Sequence, residues 1–322
     1  MQVLVTGAAG EIGKSLTTSL LALGHRVRAL DIKRGSDHPA LEWTCADSTD
    51  VSALRAAMVG CDAIIHLAAL GLPWLGTEEE VFRVNDYGTF CVYRAAAESG
   101  VGRVVAASSI NVLGLYFGLR SLQIDRIPVT EDHRRITSDI YSFSKQIQED
   151  VGEYFYRREG ITSISIRMGA NMKLDAQPTP APIRDEIARL LTLPRAEGQR
   201  HVREIVGRFF ARSRDLRERY TPDYVPDAIA TGVTHLWTVL DSRDRDRAFA
   251  LALEADVEGA VVVNVSDSHN ALVMEAREIA SLCYPEAELD STLQGTQSLW
   301  SGERARTLLG FEPQYSVARC FE

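Results

Sequence analysis

Residues Val3 to Leu16 read "VLVTGAAGEIGKSL": a short apolar run, a set of glycines, then the opening of a helix. The letters fit two phosphate-binding devices. From Ala8, "AAGEIGKS" is a relaxed P-loop ending in Gly13-Lys14-Ser15, with Ala8 in place of the usual first glycine. From Thr6, "TGAAGEIG" is a dinucleotide fingerprint with Gly7, Gly10 and Gly13 at three-residue spacing. Both devices put phosphates at a helix N-terminus, where unpaired N–H groups and the helix dipole favour negative charge. They differ in what must follow. A P-loop needs an Asp at the end of another apolar strand to help hold Mg²⁺, but the strands starting near Asp62 and Arg103 end in Leu67 and Ser108. A dinucleotide site needs an acid about 20 residues beyond the glycines, at the tip of the second strand, for the adenosine ribose. "RVRALD" puts Asp31 there. Against the plainer reading of glycines in an ordinary strand-to-helix turn, Asp31 favours the dinucleotide, and Lys14 becomes a first-turn surface lysine.

Outward from this stretch, strand and helix patterns alternate. Runs rich in Val and Ile occur at Gln2–Thr6, Arg26–Asp31, Asp62–Leu67, Arg103–Ser108 and Ile161–Met168. Helical stretches at Ile12–Leu23, Val51–Val59, Glu78–Ser99 and Ile140–Arg158 separate them. Short, almost continuously apolar strands between helices of this length predict an α/β, doubly wound parallel sheet covered on both faces. The regularity stops near Gly169. "QPTPAP" (Gln177–Pro182) marks a loop or boundary, and a further apolar run lies at Ala260–Val265. "DSRDRDR" (Asp241–Arg247) reads as a solvated loop.

Bulk properties bound the partners. The chain has 322 residues and a net charge of −9, which argues against a nucleic-acid surface. Its five cysteines, Cys45, Cys61, Cys91, Cys283 and Cys320, show no C-x-x-C and no His at metal spacing, so reduced thiols and no metal are expected. The chain starts directly on a strand pattern and holds no apolar run approaching the roughly 18 residues of a spanning helix. A cytoplasmic chain without a membrane partner is expected.

The chemistry points to "YSFSK", Tyr141 to Lys145. On a helix, i and i+4 share a face, so phenol and ammonium can point into one cleft. A neighbouring cation favours phenolate and is expected to lower the tyrosine pKa, making a general acid/base. The plain alternative is a surface pair. Only four lysines occur in the chain (Lys14, Lys33, Lys145 and Lys173), which makes a chance pairing with one of ten tyrosines uncommon. Upstream, "VVAASSINVLG" ends a strand in Ser108-Ser109, where ligands of open parallel sheets bind and a serine can donate to a reacting oxygen.

In order and spacing, Thr6-Gly7-x-x-Gly10-x-x-Gly13, Asp31, Asn85-x-x-Gly88-Thr89, Ser109 and Tyr141-x-x-x-Lys145 resemble the extended short-chain dehydrogenase/reductases, the NAD-dependent epimerase/dehydratase group. The motifs are specific from residue 1 to about residue 171 and weaker through "YVPDAIA" (Tyr224–Ala230), "VVNVSD" (Val262–Asp267) and "LLGFEP" (Leu308–Pro313). The resemblance implies a Rossmann-type NAD-binding domain over 1–170, completed by elements near 222–265, with 171–221 and 266–322 as a smaller, less regular substrate region. It implies NAD rather than NADP, contacted by Gly7, Gly10, Glu11, Ile12, Gly13, Asp31 and Ile32, with Asp47 and Ser48 near the adenine. Leu67, Ala68 and Ala69 would line the groove, and Asn85 would serve the nicotinamide half. Ala107, Ser108, Met168 and Ala170, with Tyr141 and Lys145, would complete the cofactor site, Lys145 holding the nicotinamide ribose, and Ser109, Tyr141 and Lys145 would form the catalytic triad. A homodimer through the third and fourth helices is the group's habit.

Departures narrow the chemistry. Dehydratases of the group carry Asp-Glu just after the catalytic Ser/Thr, whereas Ile110-Asn111 stand here. Arg167-Met168-Gly169-Ala170, with Asn171 one place late, replaces the aromatic pair and Asn usual for nucleotide sugars. "SSINVLGLY", "PVTEDH" and "YSFSK" look more like the uronate-dehydrogenase-like branch, whose substrates are small free polyols or sugar acids. A dehydrogenase or reductase is expected over an epimerase or a non-catalytic NAD-binding regulator. From Arg184 to Arg219 there are ten arginines against six acids. Val202, Ile205, Val206, Phe209, Phe210, Leu216 and Tyr220 recur there at helical spacing, as a core stripe with a solvated arginine face. The alternative is an arginine clamp on an anionic substrate.

Overall fold

Gln2–Thr6 (β1) is buried at every residue, as its unbroken apolar run requires when helices cover both faces. The structure is a computed structural model that describes residues 1–35, 38–120, 123–174, 181–212 and 227–321. Beside β1, on one side, run Arg26–Asp31 (β2) and Leu41–Cys45 (β3). On the other side run Ala63–His66 (β4), Arg103–Ser109 (β5), Thr162–Met168 (β7) and Ala260–Val265 (β10). All these pairings are parallel, in the order β10-β7-β5-β4-β1-β2-β3, while the two-residue strands Arg126–Ile127 (β6), Asn171–Met172 (β8) and Leu240–Asp241 (β9) pair outside this sheet. The chain order reverses between β1 and β4, which makes the crevice beyond Thr6 and His66 the switch point where ligands of such sheets sit.

Two apolar layers close the faces. On one, Leu16 and Leu20 of Glu11–Ala22 (α1) pack with Ala248, Phe249, Ala252 and Leu253. On the other, Leu54 and Met58 of Val51–Met58 (α2), Val92 and Tyr93 of Gly88–Ser99 (α4), and Phe155 of Ile140–Glu159 (α5) pack together. A third core, around Trp300, Trp237, Phe209 and Ile279, belongs to the smaller C-terminal region. The fold is thus a Rossmann-like, doubly wound parallel sheet with a smaller α/β region after it.

Three readings of the sequence need correction. The sequence pattern does not announce the strand β3, "LEWTC", because Glu42 and Thr44 interrupt the apolar run at a sheet edge where one face stays wet. The helix expected over Glu78–Ser99 is Glu78–Val81 (α3), a π-helical turn at Phe82–Tyr87, and α4. "DSRDRDR" is no solvated loop: Asp241 caps the helix Ser242–Glu254, and Asp244, Arg245 and Asp246 are buried. Charge alone hid its alternative, since Arg245 donates to Asp246 and to Ser15 of α1 and so is paired inside.

The arginine-rich segment forms Ala181–Thr192 (α6) and Arg195–Ala211 (α7), while 213–219, with Leu216, lies outside the described residues, as do Tyr220 and 213–226 generally. Within α7, Val202, Ile205 and Phe209 face the C-terminal core and Arg203 and Arg208 are exposed, as the core-stripe reading expects. Arg184 is engaged with the Leu272 carbonyl and the Phe321 ring. No helix among the described residues is long and apolar enough to cross a membrane.

Candidate active site

The turn after β1 is built by glycine. Gly7 adopts φ +70°, and a Cβ there would stand 2.6 Å from the Ala68 amide nitrogen, so the turn lies flat against the chain leaving β4. A Cβ on Gly13 would collide with the Gly7 carbonyl, which lets α1 start tight against the turn. Gly10 is the α1 N-cap and brings no capping side chain, leaving first-turn N–H groups for a ligand. The opening ambiguity resolves here. The Ser15 hydroxyl, which a P-loop aims at magnesium, donates to the Ile12 carbonyl and accepts from Arg245, and Lys14 lies exposed at the surface.

Around this turn the expected cofactor residues are arranged as follows. Asp31 ends β2, and its Oδ2 accepts from the Ala9 N–H at 3.0 Å, which ties the acid to the glycine turn. Ile32, the next residue, is 74% exposed, an apolar platform that the packing of the fold leaves uncovered. Glu11 is exposed and Ile12 half-buried at the start of α1, and Leu67, Ala68 and Ala69 are half-buried beyond β4. Asp47 is held below the ordinary carboxylate range: Thr49 and Arg83 outweigh the burial that opposes them. Ser48 is buried against Gly88.

Asn85 is not free to reach outward. Its Oδ1 accepts from the Leu70 N–H, and its Nδ2 donates to the Leu70 carbonyl and to Ser144 Oγ at 3.0 Å. It fastens the β4 loop to α5. Met168 is half-buried at the end of β7, and the Ala170 backbone is taken by Thr238 and Leu240. Ser108 is fully buried and donates to Glu149 Oε1 at 2.7 Å, so its hydroxyl serves α5 and not a ligand.

Ser109, Tyr141 and Lys145 meet at the C-terminal end of β5. Asp139 caps α5 by accepting from the Ser142 N–H, which sets Tyr141 and Lys145 on the first turns. The Tyr141 phenol and the Ser109 hydroxyl act on each other, while Lys145 Nζ donates to the Ala107 carbonyl at 2.7 Å and to Gln148 Oε1 at 3.1 Å. The ammonium lies 5.7 Å from the Tyr141 ring centre. Phe117 meets that ring edge-on at 5.5 Å, and Trp74 packs on Phe117. The expectation of a lowered tyrosine pKa is not met in this state. Burial pushes Tyr141 up to about 12, with Ser109 pulling the other way. Burial likewise pushes Lys145 down to about 8, opposed by Asp86 and Glu149. Desolvation outweighs the local pairing at both groups.

Sequence patterning does not reveal the charged groups packed behind these three residues. Glu149 receives Arg167 through both carboxylate oxygens at 2.8 Å each, besides Ser108 and Arg135. Arg167 and Glu149 are both buried, on β7 and α5. The i+4 step from Lys145 to Glu149 was a visible signal, but its partner on β7 was not. Asp86, in the π-helical turn, is buried too.

A family model described as the NAD dependent epimerase/dehydratase family matches residues 3–172. A uronate dehydrogenase of Pseudomonas syringae pv. tomato is 33% identical over 176 residues, 53% of this chain and 59% of that protein. An L-arabinose 1-dehydrogenase (NAD(P)(+)) of Haloferax volcanii is 31% identical over 176 residues, 52% of this chain and 66% of that protein. These matches span about three-fifths to two-thirds of each curated relative's length. A solved structure of MoeE5 in complex with UDP-glucuronic acid and NAD superposes at TM-score 0.65 with 23% identity, covering 98% of this chain and 95% of that one, a likeness of fold. With its glycine turn at the sheet's switch point and the family match over more than half its length, the chain belongs to the NAD dependent epimerase/dehydratase family.

Proposed function

We propose that the chain is an NAD-dependent dehydrogenase or reductase acting at a secondary alcohol or ketone of a small sugar, sugar acid or polyol. The observation that carries this reading is the meeting of Ser109, Tyr141 and Lys145 in a buried cluster at the C-terminal end of β5, two strands from β1 and its glycine turn. NAD, when bound, supplies the hydride acceptor or donor. Its pyrophosphate would lie on the α1 N-terminus left open by Gly10, and its adenosine ribose at Asp31. Ser109 donates to the substrate oxygen. Tyr141 takes the hydroxyl proton during oxidation and returns it during reduction. Since burial holds the phenol protonated, the phenolate requires positive charge close by, which Lys145 provides as an ammonium. Ile110-Asn111 offer no acid/base pair for eliminating water, which supports simple hydride transfer. The uronate and arabinose dehydrogenases among the relatives make free uronates and aldoses the first substrates to try. Exposed Phe82, Tyr87, Phe143 and Tyr154 on the α3–α5 side support a homodimer.

The test is NADH formation over a panel of free aldoses, uronates and polyols, followed by variants on the best substrate. Tyr141→Phe keeps the ring and removes the moving proton, so turnover falls roughly 10²–10⁴-fold with NAD affinity unchanged. Lys145→Met weakens both turnover and NAD binding, and Ser109→Ala costs turnover alone. A Tyr141→Phe enzyme that keeps most of its activity makes this tyrosine a packing residue and ends the reading.

A further inference from the structure

Among the buried ionisable groups, Asp86 has no use in the scheme above. Its side chain is 3% exposed, and neither carboxylate oxygen has a hydrogen-bond partner among the described residues. An unpaired buried carboxylate is costly, so a fold that keeps one calls for a reason. Its place supplies one. Asp86 lies in the π-helical turn Phe82–Tyr87, a widened turn of a kind found often at functional sites. The preceding residue, Asn85, fastens that turn to Ser144, next to Lys145. The Asp86 carboxylate and the Lys145 ammonium act on each other across this junction without closing a salt bridge within 4.0 Å.

We propose that Asp86 is a positioning residue that acts through Lys145: its carboxylate keeps the buried lysine charged, as the catalytic reading of Lys145 requires. The other charged groups around the turn do not do this work. Arg83, on the turn itself, faces Asp47 at the surface. Glu78, Glu79 and Glu80 of α3 are exposed, and Arg94 of α4 pairs with Glu98. On α5, Glu149 also faces Lys145, but Arg167 and Arg135 already neutralise it. His66 on β4 sits between Thr6 and Thr89 and stays neutral. Burial raises Asp86 to about 7 while it lowers Lys145 to about 8.

The four lysines make a direct measurement practical. In protein labelled with ¹³C at the lysine ε-carbon, one of four signals belongs to Lys145 and disappears in Lys145→Met. Its titration midpoint is expected near 8 in the parent. In Asp86→Asn, which keeps the shape and breaks no hydrogen bond, the midpoint falls by about one pH unit or more, a tenfold loss of proton affinity. Asp86→Glu restores part of the shift, and Glu258→Gln, an exposed acid elsewhere, leaves it unmoved. A Lys145 midpoint that is the same in Asp86→Asn as in the parent overturns the proposal. The titration needs no turnover, so it decides the role of Asp86 even if Tyr141→Phe shows the catalytic reading to be wrong. Where turnover is found, the alkaline limb of its pH profile moves down with the lysine in Asp86→Asn, which a packing role would not produce.

Discussion

We propose that a single carboxylate at the tip of β2 decides the choice of dinucleotide. Asp31 accepts from the Ala9 N–H through Oδ2 and only weakly, at 3.4 Å, from the Lys33 N–H through Oδ1. Capacity remains for ribose hydroxyls, while a 2′-phosphate meets like charge. The expected preference for NAD over NADP is about 1–3 kcal/mol. Asp31→Ala brings the two affinities together in a fluorescence titration, and a preference for NADP that survives the substitution shows another residue in control. At this scale the sequence is readable where chemistry is local. Gly7, Asp31, Tyr141 and Lys145 stand in short motifs whose spacing defines the geometry. Asp86 and Arg167 are ordinary letters, because their meaning comes from neighbours on other elements.

Between elements, the position of α5 rests on a buried ion pair. Arg167 reaches from β7 to Glu149, and Ser108 of β5 joins the same carboxylate, so one group fixes the helix against two strands. Removing one partner of such a pair strands the other charge, whereas removing both does not. Arg167→Met leaves Glu149 paired with Arg135, whereas Glu149→Leu strands the Arg167 guanidinium. Glu149→Leu should therefore lose about 3–5 kcal/mol in urea unfolding, and Arg167→Met with Glu149→Leu should lose less than Glu149→Leu alone. Losses that simply add would show the pair to be two independent contacts. Most of the sheet and its helices could be read from alternation, since each apolar strand is covered on both faces. What was missed follows a rule. β3 has one wet face, and the helix Ser242–Glu254 hides its charges in internal pairs, so hydrophobic patterning misrepresents both.

Across the molecule, acid acts on stability through opposing groups. Burial pushes His66 down to about 3, so between pH 6.5 and that value the unfolded chain takes up a proton that the folded one refuses. The native state loses stability as pH falls through this window, about 2 kcal/mol from this residue at pH 5. Asp86, raised to about 7, works the other way, adding stability as pH falls from 7 towards 4. The comparison that isolates His66 is His66→Gln against the parent: their difference in unfolding free energy moves in the variant's favour as pH drops from 6.5 to 5. A difference that stays constant would place the histidine's charge outside the balance. The apolar face of α1, Leu16 and Leu20, is covered by Ala248, Phe249 and Leu253, and its Ser15 is held by Arg245. At a synthesis rate of about 5–20 residues per second, the nascent helix waits on the order of 10–50 s for that cover. Meanwhile the ribosome presents a sticky, half-wrapped sheet to the cell. A fragment ending at residue 172, where the family match stops, should copy that nascent state by binding a hydrophobic dye and aggregating, and adding Ser242–Glu254 as a peptide should suppress both. A fragment that stays monomeric and dye-free would mean that the first strands and helices fold without waiting.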